Sequence, residues 1–339
     1  MSLPRLSSLS QIPLLADRLP VADDQAAEAA RMRQNSLTKP PGSLGRLEQI
    51  AEFMAAWRGT ARPEIRKAQA LVFAGNHGVC AQGVNPYPQE VTAQMVANFR
   101  SGGAAINQLC ALNGAELEVI ALELDRPTAD FTKGPAMTET DCLDAFWQGA
   151  SAVDEGADIL VLGEMGIGNS TVAAALAAAC FGGPVAEWVG PGTGSDKAGI
   201  ARKVEVIERG LKRHSNLAGD APAIISALGG REQAAICGAV LAARSARIPV
   251  ILDGFICTAA AAVLYAADKR LLDHCLIGHT SAEPGHRKLL AAIHKRPVLE
   301  FDMRLGEGSG AALALGIVRA ALACHNGMAT FGEAGVSEA

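Results

Sequence analysis

A chain of 339 residues, 49% hydrophobic and 19% charged, is long enough to bury a large core and too apolar to be disordered. A net charge of −5 and an aromatic share of 4% exclude the basic stripe and the stacking side chains on which nucleic-acid binding rests. No run approaches the roughly 18 consecutive apolar residues of a membrane span, and the N-terminal stretch lacks a signal-peptide core, so a cytoplasmic protein without membrane contact is expected.

In chain order, "DDQAAEAARMRQNSL" (23–37) and "LGRLEQIAEFMAAWRG" (44–59) carry helical periodicity on either side of a Pro/Gly break, "TKPPGS" (38–43). From about residue 68 the texture changes to short apolar runs that end in glycine and polar residues, most of them followed by an alanine-rich helical stretch. These runs are "AQALVFAGNHG" (68–78), "LEVIALELD" (117–125), "ADILVLGEMGIGNST" (157–171), "PAIISALGG" (222–230), "IPVILDGFI" (248–256) and "HCLIGHTSAEPGH" (274–286). Strand–helix alternation with continuously apolar strands predicts a parallel sheet covered on both faces. Ligands of such sheets bind beyond the C-terminal strand ends, so the glycine-polar segments are the expected site wall. "MRLGEGSGAALALGIVRAALACH" (303–325) closes the pattern as a Gly-rich loop opening a long helix. The expected fold is α/β, with residues 66–304 as a large α/β domain and residues 1–65 plus 305–339 as a smaller helical domain built from both ends of the chain.

The eight cysteines form no C-x-x-C pair and lie mostly in apolar runs, which reads as reduced core packing with no metal site. His77, His279 and His286 fall at strand ends without metal-ligand spacing and read as structural histidines.

Residues Gly163 to Ser170, "GEMGIGNS", follow the phosphate-loop spacing G-x-x-x-x-G-K-[ST], with Asn169 where the lysine belongs. Backbone N–H groups and the helix dipole at such a turn bind an anion without lysine, with Asn169, Ser170 or Thr171 as the helix cap. The plainer alternative is a strand-to-helix turn that binds nothing. "WVGPGTGSDKAGIARKVEVIERGL" (188–211) repeats the design, and Lys203 on its helix either reaches a phosphate or lies on a solvated face. In "RLGEGSGAA" (304–312), Glu307 is either a helix cap or a general base on a Gly-shaped loop. Glu164 is a second carboxylate in the same layer and the second catalytic candidate, able to back up Glu307. Lack of the loop lysine, and of a nearby apolar run ending in Asp, argues against a nucleotide kinase.

Several segments together resemble one family, the nicotinate-nucleotide:dimethylbenzimidazole phosphoribosyltransferases: "LTKPPGSLGRLE" (37–48), "FAGNHGV" (73–79), "PQEVTAQMV" (88–96), "GEMGIGNST" (163–171), "LDGFI" (252–256), "HTSAE" (279–283) and "MRLGEGSGAALA" (303–314). The resemblance implies a Rossmann-like, mostly parallel sheet flanked by helices, a homodimer, and transfer of phosphoribose from nicotinate mononucleotide to 5,6-dimethylbenzimidazole. The products would be nicotinate and α-ribazole 5′-phosphate, used in the nucleotide loop of cobalamin, with no cofactor and no metal. It makes Glu307 the catalytic base and puts Glu164, Met165, Gly166, Ile167, Gly168, Asn169 and Lys203 around the phosphoribosyl group, with Ser281 and Leu305 near the bases. "GVNPYPQEVTAQMV" (83–96) would line the benzimidazole pocket, yet Tyr87 and Met95 stand where some relatives carry smaller or more polar residues, which leaves the preferred base open. A mononucleotide has one phosphate, so the loop needs no lysine to polarise a γ-phosphate. The alternative is a protein of the same fold that binds nucleotides and has lost catalysis.

Overall fold

Six parallel strands make one sheet in the computed structural model, which describes residues 3–337. The strands are β1 (Ala68–Ala74), β2 (Ala115–Ala121), β3 (Ile159–Met165), β4 (Val250–Leu252), β5 (Cys275–His279) and β6 (Pro297–Leu299), and their spatial order is β2-β1-β3-β4-β5-β6. Side-chain alternation divides the apolar runs between two cores. Leu71, Phe73, Leu160, Leu162, Val250, Leu252 and Ile277 face one of them, and Ala70, Val72, Ile159, Val161, Ile251 and Leu276 face the other. Helices Asn169–Phe181, Arg231–Ser245 and Phe255–Ala267 cover the first face; Arg46–Arg58, Ala105–Asn113 and Ser309–Gly327 cover the second. The edges are blunted: β2 exposes Glu116 and Glu118, and β6 is three residues long and opens with Pro297.

The chain ends meet. Arg33 Nε donates to the His325 carbonyl at 2.8 Å, and Arg46–Arg58 packs on Ser309–Gly327, which itself lies against β3 and β5. Residues 1–2 and 338–339 of the expected smaller lobe lie outside the described residues. Among the described residues no helix is long and apolar enough to cross a membrane.

Two elements differ from the sequence reading. "PAIISALGG" is not a strand: Ala221–Leu228 is a helix, capped by Asp220, whose carboxylate accepts the Ala223 N–H at 3.1 Å, with Pro222 in its first turn. A short unbroken apolar run has no period that separates a strand from a buried helix, and Asp220 with Pro222 tips it to helix. Strand β6 escapes detection because three residues carry no measurable alternation.

Strand order places a site. The chain passes from β1 outward to β2 and then back across to β3, so the connections after β1 and β3 diverge to opposite sides. That reversal opens a crevice at the C-terminal ends of these two strands.

Candidate active site

A cavity of about 680 Å³ occupies the crevice, within the size range of small-ligand sites. Its wall includes Glu164, Met165, Gly166, Ile167 and Asn169 from the end of β3, Tyr87, Val91 and Met95 from the segment after β1, Ser281 and Glu283 after β5, and Leu305 and Glu307 from the closing loop. Elements scattered over more than 200 residues therefore supply one wall.

The turn after β3 is built on Gly168, which has φ +92° and serves as N-cap of the helix Asn169–Phe181. No side chain caps that helix, which corrects the expectation of an Asn169, Ser170 or Thr171 cap. Asn169 is instead the first helical residue, and its Nδ2 donates to Glu164 Oε2. Gly168 itself does not line the cavity; it shapes the turn, and a Cβ there would meet the Cys80 sulfur at 2.6 Å.

Lys203 is only 2% exposed, which removes the solvated-face alternative. Its Nζ sits one layer behind the wall, 3.3 Å from Ser170 Oγ and from the Gly190 carbonyl. Burial pushes its pKa down, and the nearby carboxylate of Glu283 opposes that shift. Glu283 in turn accepts the Gly192 N–H at 2.9 Å, and burial raises its pKa.

Glu307 has φ +64°, the left-handed region, between Gly306 and Gly308 at φ +80° each. Burial, and secondarily the charge of Asp253, raise its carboxyl to about 7. Glu164 is 4% exposed and held well above the usual carboxylate range by burial, then by the charges of Asp253, Glu232 and Glu307. Its carboxyl accepts from the backbone of Glu307, so the two expected catalytic residues touch.

Tyr87 is half-exposed at the mouth, while Val91 and Met95, four apart on the helix Glu90–Arg100, present one face to the cavity. Leu305 is 56% exposed. Ser281 is fixed from behind, its N–H donating to His286 Nδ1 at 2.8 Å, and burial lowers the His286 pKa to about 3.

His77 and His286 are buried away from the cavity, but His279 lines it, with Nε2 3.5 Å from Asp253 Oδ1. Asp253, Glu232, Glu283 and Arg304 were not singled out from the sequence. Asp253 had a usable signal, since it is a carboxylate directly after an apolar run, and Glu283 a weaker one, four residues beyond the end of β5, where strand C-termini make sites. Glu232 had none, being the second residue of a helix, buried beside His77 at 3.1 Å.

The model of a family described as "Phosphoribosyltransferase" matches residues 19–336. A nicotinate-nucleotide–dimethylbenzimidazole phosphoribosyltransferase of Rhodobacter capsulatus is 66% identical over 333 residues, covering 98% of this chain and 99% of the relative. The chain belongs to that family of enzymes. The like-named protein of Novosphingobium aromaticivorans is 59% identical over 98% of the chain and 99% of the relative. Among solved structures, CobT of Thermus thermophilus superposes with a TM-score of 0.88 at 42% identity, covering 93% of this chain and all of that one. The enzyme is thus a phosphoribosyltransferase, and its parallel sheet is the architecture of its family.

Proposed function

We propose that the cavity is where this phosphoribosyltransferase moves phosphoribose from nicotinate mononucleotide to 5,6-dimethylbenzimidazole, with Glu307 as the base. One observation carries the assignment of roles: a helix N-terminus without a side-chain cap and a carboxyl poised at about 7 share a single cavity wall. The ring nitrogen of the donor is cationic, so nicotinate leaves with the C1′–N electron pair and needs no acid. One benzimidazole nitrogen attacks C1′ from the opposite face, which inverts β to α. Positive charge spreads over the acceptor ring, and its other N–H passes a proton to Glu307. A base tuned near the working pH is the efficient choice. Glu164, its carboxyl held well above the usual range by burial, accepts from the Glu307 backbone and meets the ribose side of the donor.

The phosphate belongs at the uncapped N-terminus of the helix Asn169–Phe181, with Gly168 giving the turn and Lys203 acting from behind Ser170. Lys203→Ala should raise KM for the nucleotide by roughly 10- to 150-fold, the equivalent of about 1.5–3 kcal/mol for a charge-assisted contact, and leave KM for nicotinate riboside unchanged. Equal losses on both donors would take Lys203 out of phosphate recognition.

The acceptor rests on Tyr87, Met95, Ser281 and Leu305. Tyr87→Ser and Met95→Gln should re-rank dimethylbenzimidazole, benzimidazole and adenine in kcat/KM, each ring methyl being worth about 1–3 kcal/mol. Unchanged ratios in both variants would make these two residues ordinary packing. A homodimer and a cytoplasmic location are proposed with the family, and sedimentation of the purified chain tests the first.

The deciding experiment incubates the protein with nicotinate mononucleotide and dimethylbenzimidazole and separates products by mass. Release of nicotinate with an α-riboside phosphate is expected. Tight nucleotide binding with no turnover would instead establish the catalytically inactive nucleotide-binding reading.

A further inference from the structure

The helix Ser309–Gly327 begins with a glycine N-cap, so nothing on its own first turn satisfies the N–H groups that a cap side chain would take. Asp253 takes them from another strand. It directly follows β4 and is 1% exposed, and its Oδ2 accepts the Gly308 N–H at 3.0 Å while Oδ1 accepts the Ala311 N–H at 2.9 Å. Glu307, the carboxylate that stands beside this helix in sequence, is thereby excused from capping and lines the cavity. The loop is pinned on its other sides as well: Ser309 Oγ donates to the Gly306 carbonyl at 2.7 Å, and the backbone at Glu307–Gly308 lies directly over Gly163 of β3.

We propose that Asp253 is the positioning residue of the catalytic base, holding the Gly306–Gly308 loop so that Glu307 projects its carboxyl at the acceptor instead of folding back onto its own helix. This rests on the reading of Glu307 as the base. Geometry carries it: two hydrogen bonds hold the backbone that follows Glu307, whose left-handed φ of +64° a non-glycine residue rarely adopts without such support. Electrostatics act in the same direction. The groups facing Glu307 are Asp253 from the end of β4 and Glu164 from β3, with His279 from β5 against Asp253 and Glu232 from the Arg231–Ser245 helix acting on Glu164. Burial is the main cause of the raised Glu307 carboxyl, and the Asp253 charge adds to it.

The test is a cycle of Asp253→Asn, Glu307→Gln and the double variant, with full pH profiles. Asn keeps the shape, removes the charge and turns one acceptor into a donor facing an N–H. We expect kcat to fall about 10²-fold, in line with a misplaced catalytic group, with KM for the mononucleotide within about threefold of wild type. The acid limb of kcat/KM should move to lower pH, because removing a neighbouring negative charge makes Glu307 easier to ionise. On top of Glu307→Gln, the Asp253 change should cost almost nothing further, since both act through one group. A folded Asp253→Asn protein with wild-type kcat and an unmoved acid limb overturns the proposal, as does a double variant in which the two losses multiply. If Glu307→Gln alone keeps wild-type turnover, the reading of Glu307 fails instead, and the two failures are told apart. Should Asp253→Asn not fold, Asp253→Ser, which keeps one acceptor and drops the charge, is measured in the same cycle against the same outcomes.

Discussion

Glu307→Gln is expected to yield a folded protein whose turnover is lowered about 10²- to 10⁴-fold, the usual contribution of a general base. In the wild type, kcat/KM should rise with pH through about 7, because only the ionised carboxyl accepts the benzimidazole proton. The same group makes a stability prediction of definite sign. Its folded-state value is raised to about 7 from the ordinary 4.5, so the folded protein binds this proton more tightly than the unfolded chain. The stabilisation is full below about pH 4.5 and is lost as pH rises to about 7. Glutamine never ionises, so the variant should gain in melting temperature relative to wild type at pH 8, and the gain should shrink toward pH 5. Thermal melts at the two pH values and initial rates of nicotinate release check both halves. Near-normal kcat in the folded variant removes Glu307 from the mechanism, and a melting difference independent of pH removes the raised carboxyl.

Gly163→Ala should be nearly as damaging without touching a polar group. Gly163 lies within β3, and a Cβ there would stand 2.5 Å from the Gly308 Cα and 2.7 Å from the Glu307 carbonyl carbon, with the Gly308 nitrogen closer still. All three are backbone atoms, so either the central strand or the Glu307 loop must move. Overpacking of this kind costs about 1–3 kcal/mol, and a displacement near 1 Å of a catalytic group costs on the order of 10²-fold in rate. Gly134→Ala is the matched control: its added methyl meets nothing within 4 Å, and stability should stay within about 0.5 kcal/mol of wild type. Denaturant unfolding and kcat for the two alanine variants test the contrast. A Gly163→Ala protein with wild-type stability and turnover would mean that the loop is not held against the strand.

Four of the strands were legible as apolar runs because a parallel sheet buried on both faces demands them, and the edge strand β2 through its Leu, Val and Ile; the turn at Gly166–Asn169 was legible because Gly168 takes a left-handed backbone and Gly166 leaves no room for a Cβ. The segments at 37–48 and 303–314 carry the family resemblance in the sequence itself. Other features had no local signature. Ala221–Leu228 became a helix through Asp220 and Pro222 where apolarity alone was ambiguous. Lys203 went under the wall instead of into solvent because the Gly190–Gly192 turn folds over it. Asn169 turned from a helix cap into a partner of Glu164 once Gly168 took the left-handed position. Above all, Glu307 is a candidate base and not a cap because Asp253, from the end of another strand, occupies the helix N-terminus and lends its charge. Periodicity and turn chemistry act between neighbours along the chain and can be read there. Burial and electric field act through space, between segments that only folding brings together, and in this protein they decide which carboxylate lines the cavity and which holds a helix.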